Sequence, residues 1–219
     1  MRQLDELEGV RRLRSGVLLL ILVPLLLFIV AVMAAAAFAA LRPGYRVTVV
    51  TSGHVFAQAD SYLGPSLAAV GVAILVAALA LVSLVLIVMA FGRLRGGFSL
   101  LSAAGRGGST GVAGTWLVII AAIMALPGAA LFMFGGFIAT WAAMVLGAVG
   151  FILIGVGLFE VGSSYRNGLL EAGGILVAIP LLITSFIGLI LSYVALGDIE
   201  RELQAKASQA GAQQATTTS

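Results

Sequence analysis

The sequence predicts an all-α membrane protein, a bundle of about five transmembrane helices, and three observations carry that reading. Of 219 residues, 61% are hydrophobic and only 10% charged, against about 45–50% and about 25% in soluble domains. Mean hydropathy is +1.17. The apolar residues also fall in long unbroken runs. Each run can supply the roughly 20 helical residues that a hydrocarbon core of about 30 Å requires, and none shows the alternation of a barrel strand.

Residues 1–15 predict a cytoplasmic amphipathic segment with a short helix over Leu4–Leu13. Asp5, Glu6 and Glu8 stand in its first turns and Arg11, Arg12 and Arg14 near its end, matching the helix dipole. Glu8 and Arg12 have the i, i+4 spacing of an ion pair. The first span covers 16–41, too long an apolar run for a cleaved signal, whose apolar region is about 7–15 residues. Between the first two spans, Arg46–Ala59 places Val47, Val49, Val50, Val55 and Phe56 around Thr51-Ser52-Gly53. β-Branched runs about a glycine-containing turn predict a small extracellular β-hairpin, with helical extension of either span as the competing reading. The second span covers 63–92.

An almost continuous apolar stretch from Val112 to Val161 is twice one crossing. It must turn back, and Gly135-Gly136 marks the turn, which gives a third span over 112–134 and a fourth over 137–161. The fifth covers 173–196, so the transmembrane domain occupies 16–197. Residues 198–219, rich in Ala, Gln, Thr and Ser, predict a polar, disordered tail. Pro24, Pro127 and Pro180 stand inside spans, where they bend helices. Trp116 and Trp141 stand near span ends, as interfacial anchors do.

With five spans, one side holds Arg2, Arg11, Arg12, Arg14, Arg93, Arg95, Arg106 and Arg166, and the other holds Arg42, Arg46, Arg201 and Lys206. The excess of positive charge puts the N-terminus in the cytoplasm and the C-terminus outside the cell membrane.

The chain has no Cys and one His, His54, which excludes disulfides, thiolate chemistry and multi-His or Cys-ligated metal sites. No cofactor is expected. The net charge of +3 sits in short segments beside apolar runs, where anionic headgroups are the ordinary partner, and there is no basic stripe for nucleic acid. No charge falls at the centre of a span, where it would mark an ion path. Glu160, at the end of the fourth span, is the nearest, and reads as an interfacial acid paired with Arg166 or solvated, with a gating or coupling carboxylate as the alternative. Gly107-Gly108-Ser109-Thr110-Gly111 fits G-x-S-x-G but lacks the strand and histidine of a nucleophile elbow.

Small residues supply the main packing pattern. Gly174, Ala178, Ser185, Gly188 and Ser192 share one face of the fifth span, with Ala143, Gly147, Gly150 and Gly157 on the fourth. Gly114, Ala121, Ala125 and Gly128 do the same on the third, and Ala69, Ala73, Ala77 and Ala80 on the second. Helices in lipid associate by close approach through such seams. The competing expectation is a narrow path lined by Thr184, Ser185 and Ser192. Arg11, Arg12 and Arg14, with Arg93, Arg95 and Arg106 in the central loop, are candidate contacts for lipid phosphate. Arg95-Gly96-Gly97 and Arg106-Gly107-Gly108 also free backbone amides beside an arginine.

Several segments together resemble a known family. Glu8-Gly9-Val10 and Arg11-Arg12-Leu13-Arg14-Ser15-Gly16 open directly into a span, and Gly97-Phe98-Ser99-Leu100-Leu101 follows the second. Tyr165-Arg166-Asn167-Gly168-Leu169-Leu170 and Gly173-Gly174-Ile175-Leu176 lead into the last span, which ends Ser192-Tyr193-Val194-Ala195-Leu196-Gly197. Over about residues 4–203 this resembles an archaeal multi-pass membrane family, domain of unknown function 973. The resemblance implies an archaeal cell-membrane location and no activity, cofactor or catalytic residue.

The leading functional expectation is a non-enzymatic structural or interaction role, with lipids, a second copy or another membrane protein as partners. The alternatives are a small transporter or channel using the last helix, and a membrane enzyme acting on lipid through Glu160, His54 or Asp60.

Overall fold

The computed structural model describes residues 2–41, 63–130, 137–179 and 181–217, and all regular structure among them is helical. Six helices follow in order: α1 (Arg2–Leu41), α2 (Leu63–Ala103), α3 (Ser109–Ala130), α4 (Phe137–Tyr165), α5 (Gly168–Ala178) and α6 (Leu182–Thr217). Four stretches among the described residues are long and apolar enough to cross a membrane: Leu4–Met33, Leu81–Ala103, Phe137–Tyr165 and Ile183–Gln209. The β-hairpin expected over 46–59, the turn at Gly135-Gly136, His54, Asp60 and Pro180 lie outside the described residues.

The chain forms two compact units, Val23–Val85 and Met1–Leu22 with Leu86–Ser219. The first holds the end of α1, which runs helically through Pro24, and the start of α2. Many of its large apolar side chains, including Leu25, Phe28, Val32, Ile74 and Leu81, are exposed, while Val23 and Val30 are buried. The side chains of the expected seam Ala69, Ala73, Ala77 and Ala80 lie outside the description, as do those of Ala125 and Gly128 on α3.

The second unit is a succession of antiparallel helix pairs brought close by glycine. A Cβ on Gly9 would lie 3.1 Å from Leu101, and one on Gly16 would lie 2.8 Å from Leu94, so the start of α1 lies along the end of α2. Between α3 and α4, a Cβ on Gly157 would stand 2.5 Å from Gly111 Cα and one on Gly114 would stand 2.7 Å from Gly150 O. Between α4 and α5, a Cβ on Gly155 would stand 2.5 Å from Ala178 N. Between α5 and α6, a Cβ on Gly188 would stand 2.7 Å from Val177 N. Side chains as small as alanine do not fit the crossings among α3, α4, α5 and α6, and backbone approach supplies the dispersion contact there. Phe98, fully buried, fills the space that Gly108, Gly111 and Gly157 leave open.

Three expectations need correction. Residues 173–196 are not one helix. α5 ends at Ala178 and Ile179 adopts extended angles (φ −80°, ψ 113°), as a residue preceding proline prefers, and α6 starts afresh and returns along α5. Arg93 and Arg95 stand within α2, which continues to Ala103, rather than in a loop. The segment expected to be a disordered tail continues α6 as helix to Thr217, supported in part by Lys206–Glu202 (2.7 Å) and Arg201–Asp198 (3.6 Å) pairs.

Candidate functional site: a charged end of the bundle

The polar residues of the second unit gather at one end, where the start of α1, the α2–α3 and α4–α5 connections and the middle of α6 meet. Arg14 Nη1 donates to Glu200 Oε2 at 2.9 Å and Nη2 to the Tyr193 hydroxyl at 3.4 Å, with the guanidinium 4.7 Å from the Tyr193 ring centroid. Gly197 admits that guanidinium, since a Cβ there would stand 3.2 Å from Arg14 Cζ. Arg14 Nε is buried without a partner among the described residues. Arg11 Nε reaches Glu200 Oε1 at 3.8 Å.

A second cluster joins Arg106 to Glu6 at 3.2 Å, and the Tyr165 hydroxyl donates to the same carboxylate at 3.4 Å. The hydrogen bond to Glu6 raises the Arg106 pKa above its ordinary value, against the opposing effect of burial. The guanidinium therefore stays charged at any ordinary pH. Its contribution to stability is present below that ordinary value and is lost only in stronger alkali. These groups, with Arg166, Glu202 and Lys206, line a cavity of about 400 Å³.

Glu160 has a different role from the one expected. It accepts from Gly108 N–H at 2.9 Å and from the Thr110 hydroxyl, and so caps the start of α3, where a negative charge meets the positive end of the helix dipole. Gly107 and Gly108 take positive φ (79° and 90°), which lets the loop backbone reach the carboxylate. Arg166, the partner expected for Glu160, makes no ion pair among the described residues and has positive φ (53°) itself.

The six arginines singled out as phosphate contacts divide into two sets. Arg14 and Arg106 are held by carboxylates, and Arg95 lies 4.3 Å from the centroid of the Trp116 ring. Arg11, Arg12 and Arg93 surround a groove of about 590 Å³ between α1 and α2, together with Glu8, Ser15, Met89 and Gly92. Arg12 donates to Glu8 at 2.8 Å on the outer surface.

A family model described as a protein of unknown function, DUF973, matches residues 6–219. The chain belongs to the DUF973 family. Comparison with curated proteins and with solved structures returns no match. In this DUF973 chain the residues of the expected last-helix seam separate onto two helices. Gly174 and Ala178 on α5 face Gly155 of α4, while Gly188 and Ser192 on α6 face Gly173 of α5. Gly147, Gly150 and Gly157 lie toward α3. Ser192, fully buried, donates to Gly188 O at 2.8 Å, Thr184 to Leu181 O at 2.9 Å and Ser185 to Ile179 O at 2.8 Å.

Sequence reasoning missed Glu6, Glu200, Tyr165 and Tyr193, which build the charged end, and Gly111 and Gly155, which make two of the closest approaches. No local spacing signals the first four, since each finds its partner on a different helix or connection. Arg14 and Glu200 are in contact, which brings the start of α1 and the middle of α6 together. No group of three metal-ligating side chains occurs among the described residues.

Proposed function

We propose that the chain is a non-enzymatic, multi-pass protein of the cell membrane with a structural or interaction role. α1 to α4 cross the bilayer in this reading, and α5 with α6 enters and returns from the same side. α5, with 11 residues, is roughly 16 Å long, and its last residue Ala178 lies against Gly155 in the middle third of α4, which supports entry to about half depth. Arg201 and Lys206 then join the eight basic residues at the other end of the count. In this reading ten of the twelve basic residues lie on one face, which supports a cytoplasmic location for that face and both termini. There the arginines meet anionic headgroups, worth about 1 kcal/mol each near the surface.

The observation that carries the structural reading over transport is the state of the seam hydroxyls. Ser192, Thr184 and Ser185 all bond to carbonyls of their own hairpin, and the helices around them meet backbone to backbone.

The absence of Cys gives the test. Single substitutions Ser192→Cys and Thr115→Cys place thiols at fully buried positions, with Ser163→Cys as an exposed control. Gly188 is avoided, because any Cβ there strikes Val177. In liposomes a water-soluble thiol reagent should label position 163 and leave 192 and 115 untouched. Labelling at 192 in a folded protein would mean that water reaches the hairpin seam, and a transport path would replace the structural reading.

A further inference from the structure

We infer that the groove between the start of α1 and the end of α2 is a binding site for one anionic membrane phospholipid. Its phosphate would lie among Arg11, Arg12 and Arg93. This rests on the membrane reading above and goes beyond it by assigning a discrete ligand to a discrete cleft rather than a general attraction of charge.

Charge complementarity is the first argument. Of the arginines at this end, Arg14, Arg95 and Arg106 are engaged inside the protein by Glu200, Trp116 and Glu6. Arg93 has no ion pair among the described residues. Arg11, 69% exposed, reaches Glu200 only at 3.8 Å. Arg11, Arg12 and Arg93 line the groove with one carboxylate, Glu8, which pairs with Arg12, so Arg11 and Arg93 supply its unneutralised charge. The Ser15 hydroxyl stands at the same rim, bonded to Arg12 O. Guanidinium forks match phosphate oxygens two at a time, which lysine does not.

Shape is the second argument. The groove, about 590 Å³, lies within the roughly 300–1,000 Å³ of ordinary ligand clefts. Gly92 lines it, and a Cβ there would find no protein atom within 4 Å, so a side chain at 92 would enter open space.

Continuity with apolar surface is the third. Arg11, Ser15, Leu18 and Leu22 follow one another at i, i+4, i+7 and i+11 along one face of α1. Leu18 and Leu22 are exposed, as are Met89, one turn before Arg93 on α2, and Val88. A headgroup held by the arginines thus continues onto an apolar track that an acyl chain can cover. A free inorganic phosphate would use the arginines and leave the track bare.

The test uses the full chain extracted in nonionic detergent and native mass spectrometry with added phosphatidylglycerol, phosphatidylcholine or inorganic phosphate. The parent should retain one phosphatidylglycerol per chain in preference to phosphatidylcholine. Arg93→Gln, and more so Arg11→Gln with Arg93→Gln, should weaken retention about tenfold or more, the effect of losing a charge-assisted hydrogen bond. Gly92→Leu, which fills the groove at unchanged charge, should weaken it comparably, while Arg201→Gln, at an exposed position outside the groove, should not. Equal retention by the parent, the double variant and Gly92→Leu would overturn the site. Binding of inorganic phosphate that survives Gly92→Leu, with no lipid preference, would overturn the lipid assignment in favour of a simple anion site. Failure of the membrane reading itself would show earlier and separately, as a chain recovered in aqueous buffer without detergent.

Discussion

Gly155 and Gly157 stand two residues apart on α4 and so face nearly opposite directions, about 200° around the helix. Gly155 meets α5 and Gly157 meets α3, each with room for a hydrogen and nothing larger. Replacing either with alanine should destabilise by about 1–3 kcal/mol, the cost of overpacking against atoms that cannot withdraw. Gly147 stands on the same helix with ordinary contact, 3.7 Å from Ala121 Cβ to a Cβ built there. Gly147→Ala should therefore be neutral or stabilise by up to about 1 kcal/mol through helix propensity. Thermal unfolding of the three variants in one detergent checks the pattern, and a common direction for all three would mean the glycines do not make these contacts. Arg14 and Glu200 permit a second test. The pair is partly buried, with side chains 31% and 10% exposed, so a double-mutant cycle with Arg14→Gln and Glu200→Gln should give a coupling of about 1–2 kcal/mol. A coupling near zero would separate the two ends of the chain.

At the scale of elements, the hairpin of α5 and α6 depends on how its broken tip satisfies backbone carbonyls. Ile179 O receives the Ser185 hydroxyl at 2.8 Å and, among the described residues, Leu181 N–H across a tight turn. Leu181 O already accepts from Ser185 N–H, so the Thr184 hydroxyl is a second donor there. Ser192 likewise adds to a carbonyl within its own helix. In lipid an unmatched carbonyl finds no water. Ser185→Ala should thus cost about 0.6–1.7 kcal/mol, the range for polar contacts in membrane helices, while Thr184→Ala and Ser192→Ala cost less. Equal effects in detergent unfolding would refute this account of the tip. The same hairpin shows what was legible in the sequence. Long apolar runs announced helices, and glycines at helical spacing announced tight packing on α4, because both depend only on local periodicity. The run over 173–196 has the same hydropathy whether it crosses or turns back. Proline at 180 marks a bend in either case, and only tertiary contact between Gly173 and Gly188 distinguishes them. The charged end was illegible for a related reason: Glu6 and Arg106, or Arg14 and Glu200, are brought together by helices whose register no local pattern encodes.

For the whole molecule, the proposed returning hairpin sets the parity of the proposed topology. Five crossings would place the end of α6 opposite the start of α1, and Glu200 could not reach Arg14 across a hydrocarbon core about 30 Å thick. In the proposed topology four crossings and a hairpin would put residues 2–14, 93–108, 163–167 and 198–206 on one face, and the basic residues would divide ten to two instead of eight to four. The larger asymmetry is the stronger orienting force, since each Lys or Arg near a span end resists translocation. Single cysteines at Ser163, Ser208 and Ser52, the last on the connection outside the described residues, read the parity directly in inverted and right-side-out vesicles. Ser163→Cys and Ser208→Cys should react with an impermeant thiol reagent only from the cytoplasmic side and Ser52→Cys only from the other. Reaction of position 208 together with position 52 would restore five crossings. It would also contradict the Arg14–Glu200 contact, so the labelling and the double-mutant cycle must succeed or fail together.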